Sequence, residues 1–496
     1  MDFLDPQKIR RHNIMLMVGY IFIGIAILVT TVVMLYLAYG FGLGKDGEII
    51  QNGLVFFSSH PSNATIYIDG TKKTTTGTRL VMPAGSYTMM LQKDGYRSWQ
   101  KTLKVSGGAV QHVAYPLLFP STLTTTELRS YTGTPLLTTE SPDNRWMLVQ
   151  PAGSIAEFDQ YDLSDNTSAA KSPVALTLPT TVITSAPGSQ KMTVIAWADD
   201  NRHVLLKHTY GAGKSEYILL DQANPASSVN LTSTLKLNAT QELTFQNDKS
   251  DRYYVYDQKT QVLGQVSLGQ NAVTPLLIDV LAYKTFGSDS VVYVTSASQP
   301  TGKVEAMLRQ SGKDYPLQSF PQKDTYELAV SEYNGDWFVA VGAASQHAIY
   351  LYKNPAYQYG NNPGHTEVPL SILRVASPSQ VGFSPGSQFV MAEHGTQFAV
   401  YDVENDQRYT FTTSKSLDKP QATVSWMDGN HLEYVSGGQL VVCDFDGTNL
   451  QVLMSADARY VPAYDAAYRY AYVLTPNTAA KQTTLTSTAL LIPADM

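Results

Sequence analysis

The chain has 496 residues, with 35 Lys and Arg against 42 Asp and Glu, a net charge of −7 and only 16% charged residues. So mild an acidic balance supplies no basic surface, which excludes nucleic acid as a partner. A single cysteine, Cys443, excludes an intrachain disulfide, and its apolar setting (Leu440-Val441-Val442-Cys443) reads as a buried inert thiol.

The first element is apolar. Residues Ile14 to Leu43 contain no Asp, Glu, Lys or Arg, and about 20 apolar residues suffice for a helix to cross a bilayer core. Lys8, Arg10 and Arg11 precede the run and only Lys45 follows closely. The expectation is a cytoplasmic tail at 1–13, a transmembrane helix at 14–43 in contact with the lipid bilayer, and everything downstream on the outer side. Ala38-Tyr39-Gly40 is a faint match to a signal-peptide cleavage site. Signal peptides, however, carry apolar stretches of about 7–15 residues, so the reading is an uncleaved anchor followed by a flexible linker at 44–52.

The remaining ~450 residues exceed one ordinary core and call for two or more domains. Thr, Ser, Tyr and Val abound, and 34 Gly and 25 Pro are scattered through the chain, a mixture suited to short strands and turns. From 53 to 119 the pattern alternates strand and turn. Ala64, Ile66 and Ile68 share one strand face before Asp69-Gly70; Leu80-Val81-Met82 runs into Pro83-Ala84-Gly85; Tyr87, Met89 and Leu91 precede Asp94-Gly95; Trp99, Leu103 and Val105 precede Gly107-Gly108. Four hairpin signals at this density predict a small antiparallel β-sandwich. Ser59-His60-Pro61, Asn63 to Gly70, Met82-Pro83-Ala84-Gly85-Ser86-Tyr87 and Lys93-Asp94-Gly95-Tyr96 together resemble a PEGA domain. That family is named for a Pro-Glu-Gly-Ala turn, and this chain reads Pro83-Ala84-Gly85-Ser86, keeping the proline and glycine without the acid. The resemblance implies a β-sandwich of bacterial envelope and surface proteins that serves as a spacer or binding module and carries no active site.

A different rhythm fills 120–496. Turns leading into apolar strands recur at Ser141-Pro142-Asp143-Asn144-Arg145, Ala198 to Arg202, Gly287-Ser288-Asp289, Asn334-Gly335, Ser384-Pro385-Gly386 and Asp428-Gly429-Asn430, with weaker copies near Asp248 and Tyr464. Many are followed by a strand ending in Asp, as in Tyr161-Asp162, Leu220-Asp221, Tyr401-Asp402 and Cys443-Asp444. Repeats of about 45 residues, all strand and turn, predict a β-propeller of seven or eight four-stranded blades. The units resemble the WD40-like repeats of the TolB type, whose signature is Ser-Pro-Asp-Gly before a strand and which is present here in partial copies, and the resemblance implies a protein-interaction platform more often than an enzyme. The fold class is therefore all-β, with a transmembrane helix, a PEGA-like sandwich and a propeller in that order.

The candidates for chemistry are weak. Gly211-Ala212-Gly213-Lys214-Ser215 resembles part of a phosphate loop, yet strands flank it, so it reads as a hairpin tip. Asp444-Phe445-Asp446-Gly447 has calcium-loop spacing without the closing Glu, so it reads as a turn. Ser416-Leu417-Asp418-Lys419 lacks the partner motifs of a Ser-x-x-Lys enzyme, no Gly-x-Ser-x-Gly occurs, and His394 and His431 sit at loop or strand-edge positions. No His/Cys spacing points to zinc, and no cofactor is expected. Tyr468, Tyr470 and Tyr472 have the spacing of one strand face packed between blades. The most suggestive surface is a Pro/Gly-punctuated loop carrying Tyr352, Tyr357, Tyr359, Asn361, Asn362 and His365, because exposed Tyr with Asn suits protein or glycan contacts. The functional expectation is a membrane-anchored extracytoplasmic binding or scaffold protein of the bacterial cell envelope. Its partner would be an envelope protein; the alternatives are a cell-wall or surface glycan, or a hydrolase with its site in the propeller channel.

Overall fold

The computed structural model describes residues 6–38, 40–43, 49–164, 172–270, 272–362, 364, 366–419, 424–477 and 481–495. The chain divides into two compact units, Met1–Thr122 and Leu123–Ala494.

The first unit opens with helix α1 (Pro6–Ala38), and proline suits a first helical turn because its missing N–H would have no partner there. Its segment Arg10–Ala38, 29 residues, is long and apolar enough to cross a membrane, its most apolar stretch is unburied, and near its end the Tyr36 ring meets that of Phe41 at 5.0 Å. Thr30 and Thr31 return their hydroxyls to the carbonyls of Ala26 and Ile27 (both 2.8 Å), which satisfies two polar groups inside an apolar helix. The helix starts earlier and stops earlier than hydropathy implies. Gly40 takes φ +78° and turns the chain, and Phe41–Leu43 forms strand β1, paired with β2 (Ile49–Phe57) through Phe41↔Gln51 and Leu43↔Ile49. An apolar run does not by itself separate helix from strand, and here a left-handed glycine does. Of the expected linker, 49–52 belongs to β2, and 44–48 lies outside the described residues.

Six more strands complete this unit: β3 (Thr65–Ile68), β4 (Thr71–Thr75), β5 (Thr78–Pro83), β6 (Gly85–Gln92), β7 (Trp99–Val105) and β8 (Val110–Val113). One sheet runs β1-β2-β5 with β8 also on β2, the other β4-β3-β6-β7. Between them Val55, Phe57, Ile66, Met89, Leu91 and Trp99 are buried. Two of the four turn signals are hairpins: Asp69-Gly70, both left-handed, joins β3 to β4, and Asp94-Gly95 joins β6 to β7. The other two, Pro83-Ala84-Gly85 and Gly107-Gly108, carry the chain from one sheet to the other. Consequently β8 joins β2 in parallel (Leu54↔Val110), a departure from the all-antiparallel expectation. Gly53 makes the crossing feasible, since a Cβ there would stand 2.4 Å from the carbonyl oxygen of Ser106.

Among the described residues the second unit contains eight four-stranded antiparallel sheets, which make eight propeller blades. Blades 1 to 7 occupy 137–177, 191–230, 241–277, 280–321, 326–374, 380–412 and 425–455 in chain order. Blade 8 takes three strands from 463–489 and its outermost strand, Thr125–Thr132, from the start of the unit, through Thr483↔Tyr131 and Thr488↔Thr125. All eight repeated turns join the first strand of a blade to its second, including the two weak copies at Asp248 and after Tyr464. First strands of successive blades touch, as Tyr326–Tyr333 touches Gln380–Phe383, which places them innermost around the ring. The apolar cores lie between blades: Leu148 and Phe158 pack with Leu206 and Ile218 across blades 1 and 2, and Val292 and Leu308 with Val339 and Val341 across blades 4 and 5.

The strand-ending aspartates have one mechanical task. Asp221, 2% exposed, closes the third strand of blade 2, takes Arg202 Nε and Nη2 (2.7 and 2.5 Å), and accepts the amides of Ala223 and Asn224 (3.1 and 3.0 Å). One carboxylate thereby ties the first turn of the blade to its third. Asp162 with Arg145 (3.2 Å) and Asp402 with Gln388 (3.4 Å) repeat the arrangement. These bonds hold the Asp221 carboxyl below the usual carboxylate range despite its burial. An Asp221→Ala chain should lose about 2–3 kcal/mol, read as a lower denaturant midpoint at neutral pH, whereas Arg202→Ala, at an exposed position, should lose less.

Candidate functional site

The tyrosine and asparagine segment is only partly the loop expected. It connects the third and fourth strands of blade 5 and contains a short helix, Pro355–Asn361, seated against the outer strands of blade 4. Tyr352 does not belong to its surface. It lies on the strand Ala348–Lys353, fully buried in the core between blades 4 and 5, and its hydroxyl donates to Leu317 O (3.1 Å) and Gln318 Oε1 (3.0 Å). The strand period turned it inward, a signal the loop reading overlooked. Tyr359 is half-buried, donates to Pro316 O (2.9 Å) and packs its ring 5.8 Å from that of Tyr315. Tyr357 is 68% exposed, and Asn361 and Asn362 are exposed with side chains that return to Tyr357 O and Gln358 O. Val368 and Leu370, also exposed, follow on the same connection, while His365 lies outside the described residues.

The other sequence candidates are structural. Gly211 and Gly213 form the left-handed tip of a hairpin whose register closes at Tyr210↔Lys214. Asp444 and Asp446 accept from Asn449 Nδ2 (2.9 Å) and Thr448 Oγ1 (2.6 Å) in a turn whose Gly447 lies under the Phe411 ring. Asp418 accepts the amides of Gly437 and Gly438 (2.9 and 2.6 Å). Cys443 is buried, and that burial pushes its thiol well above the ordinary range. Tyr472 and Tyr470 pack in the core joining blades 8 and 1, but Tyr468 sits in the preceding turn with φ +52° and so leaves the shared face. Among the described residues no three His, Cys, Asp or Glu side chains gather as metal ligands.

A cluster that the sequence reading missed joins blades 7, 8 and 1. Glu433, 2% exposed on the second strand of blade 7, accepts the hydroxyls of Tyr464 and of Ser425 (3.1 Å). Tyr464, on the first strand of blade 8, donates its amide to Glu140 Oε1 (2.9 Å) at the end of the first strand of blade 1. Asn144 Nδ2 also reaches Glu140 (3.0 Å), and His431 Nδ1 sits 2.7 Å from Asp428 Oδ2 nearby. Burial pushes the Glu140 carboxyl up to about 8 and that of Glu433 up to about 7. A cavity of about 60 Å³ adjoins Glu433, bordered by Ser425, Asp418 and Tyr460. The cavity has room for only a few waters, beside a carboxyl whose pKa burial has raised. The available signal was a Glu between Leu432 and Tyr434 in a strand otherwise apolar.

Comparison with known proteins supports the first unit. Residues 52–118 match the PEGA domain model. No curated protein matches the chain. Among solved structures, the β-propeller domain of Cps50 (Swd1) from Myceliophteria thermophila is 11% identical, with 67% of this chain and 100% of that one covered at a TM-score of 0.36. The dihydro-heme d1 dehydrogenase NirN is 14% identical over 80% of this chain and 75% of that one, with a TM-score of 0.40. The Neurospora crassa Pan2 WD40 domain is 11% identical over 73% and 95%, with a TM-score of 0.35.

The buried acid gives a pH signature. A carboxyl with a folded pKa above its unfolded value favours the folded state while protonated, and that contribution is lost as pH rises from about 4.5 through about 7. Glu433→Gln keeps the neutral shape. It should leave stability unchanged at low pH and raise it by roughly 2–3 kcal/mol at pH 8, measured by denaturant unfolding across pH. An equal effect at both ends would mean that folding leaves the Glu433 pKa unshifted.

Proposed function

We propose that the chain is a membrane-anchored binding scaffold of the bacterial cell envelope, with α1 in the bilayer, the PEGA domain as spacer, and the propeller outside as the interaction platform. One observation carries the binding reading. The connection 354–370 presents Tyr357, Val368 and Leu370 to solvent while Tyr352 and Tyr359 fasten it to the blades, so an aromatic and apolar contact surface is offered with little conformational entropy left to lose. A protein partner suits exposed Tyr, Val and Leu side chains better than a glycan does. The hydrolase alternative has the raised carboxyls of Glu140 and Glu433 in its favour, but the cavity beside Glu433 is only about 60 Å³ and Glu140 does not line it.

The anchor reading, in preference to a cleaved signal, draws on the exit from α1. The Gly40 carbonyl accepts the Asn52 amide (2.7 Å), and β1 is an edge strand of the PEGA sheet, so a cut after Gly40, where the small-x-small match would put it, would fall at folded structure instead of a free extended segment.

A photo-crosslinking residue at Tyr357 should yield one recurrent protein adduct in intact cells, absent when the probe replaces Lys214 at the opposite hairpin tip. Identical adduct patterns from both sites would overturn the assignment of the binding surface. Orientation has its own readout. A membrane-impermeant maleimide should label Lys214→Cys in intact cells and leave the native chain, with Cys443 at 2% exposure, unlabelled. Labelling of that variant only after lysis would place the propeller in the cytoplasm.

A further inference from the structure

The outer face of the β1-β2-β5-β8 sheet is built in rows. Asn52 and Pro83 form the first, beside the Gly40 carbonyl where α1 has just ended. Two residues further along β2, about 7 Å, Val81, Leu54 and Val110 stand side by side in register. Val81 is 69% exposed and Val110 57%. The next row is Arg79, Phe56 and His112, with the Phe56 and His112 rings stacked at 4.9 Å and Arg79 exposed. β-Branched apolar residues on the solvent side of a sheet are a cost to a free domain, because that face of a two-layer sandwich is ordinarily polar. The opposite sheet keeps the rule, with Gln100, Thr102 and Lys104 outward on β7. The apolar row therefore belongs to one face, and that face is covalently next to the membrane helix.

Charge on this face comes from Arg79, behind the apolar row on β5, whereas Lys72, Lys73, Lys101 and Lys104 lie on β4 and β7 of the opposite sheet. A guanidinium beside an apolar row, held a few residues from a bilayer, is drawn to anionic headgroups within a Debye length.

We propose that this face docks on the bilayer surface that holds α1, with Val81, Leu54 and Val110 entering the headgroup boundary and Arg79 meeting lipid phosphates behind them. The inference rests on α1 being a retained anchor. It makes the PEGA domain a base plate seated on lipid, which restricts the swing that a free spacer would permit.

The test uses the full chain reconstituted in vesicles of phosphatidylcholine and phosphatidylglycerol, with an environment-sensitive fluorophore on Val110→Cys or, as control, on Lys214→Cys. The probe at 110 should shift to the blue and be quenched by lipid-borne quenchers, the probe at 214 should do neither, and quenching at 110 should fall when phosphatidylglycerol is omitted. A Val81→Asp, Leu54→Ser change made with the 110 probe should abolish the quenching while the chain still floats with the vesicles. Flotation without quenching at 110 in the unaltered chain would overturn the docking and leave the anchor standing; failure to float would overturn the anchor. A probe at 110 shielded by 110-to-110 crosslinks in place of lipid would assign the face to a second copy and overturn the proposal. Val81→Ala with Leu54→Ala, which removes apolar area without adding charge, should weaken quenching in part and guards against a folding defect in the Asp/Ser variant.

Discussion

A four-stranded blade has two faces and no means of covering either alone. The apolar clusters of this propeller accordingly sit between blades, Val149 and Tyr161 of blade 1 with Tyr472 and Leu485 of blade 8 as much as Phe338 with Val390 further round. The ring must close for the first and last blades to be covered on both faces, and closure depends on one strand. Thr125–Thr132 leaves the start of the unit to pair with Gln482–Ala489, adding hydroxyl contacts such as Thr125 to Thr488 at 2.9 Å and Ser130 to Thr484 at 3.1 Å. Without that strand blade 8 would be an open edge and the core it shares with blade 1 would face water.

Polar groups are admitted to this interior only in company. His208, fully buried on blade 2, places its two ring nitrogens 2.8 Å from Glu216 and 2.9 Å from Gln190, and Glu216 also takes Thr184 and Asn230. That carboxyl sits below its usual range because its partners outweigh its burial. Glu433 shows the opposite balance, with two hydroxyl donors that fail to offset complete burial. The difference lies in the number of donors each site can gather against its burial.

Much of the architecture was legible because it is periodic. Turn motifs at regular spacing predicted the blades, and Ile66, Met89 and Trp99 alternated as sandwich strands do. Ring closure was not legible, since Thr125–Thr132 resembles its neighbours and its partner lies more than 350 residues away. The sheet-crossing turns at Pro83 and Gly107 look like hairpins until the contacts of Gly53 are known. At the candidate surface, exposure of Tyr357 was readable from a Pro/Gly-rich context, whereas Tyr352 needed recognition that the strand extends to Lys353. The buried acids escaped because each is a lone residue, and only folding gathers Glu140, Glu433 and Tyr464 from three separate blades.

The closing strand also sets a timetable. Residues 125–132 leave the ribosome long before 482–489 exist, and at about 5–20 residues per second the interval is on the order of 20 to 70 s. Throughout synthesis the nascent chain carries an unpaired strand awaiting its complement, an opening for chaperones and for mispairing with neighbouring chains. The composition of that strand blunts the danger: Thr125, Thr126, Glu127, Arg129 and Ser130 make it a poor template for aggregation. Hydroxyl-rich pairing that closes the ring is thus well matched to a strand that must first survive alone.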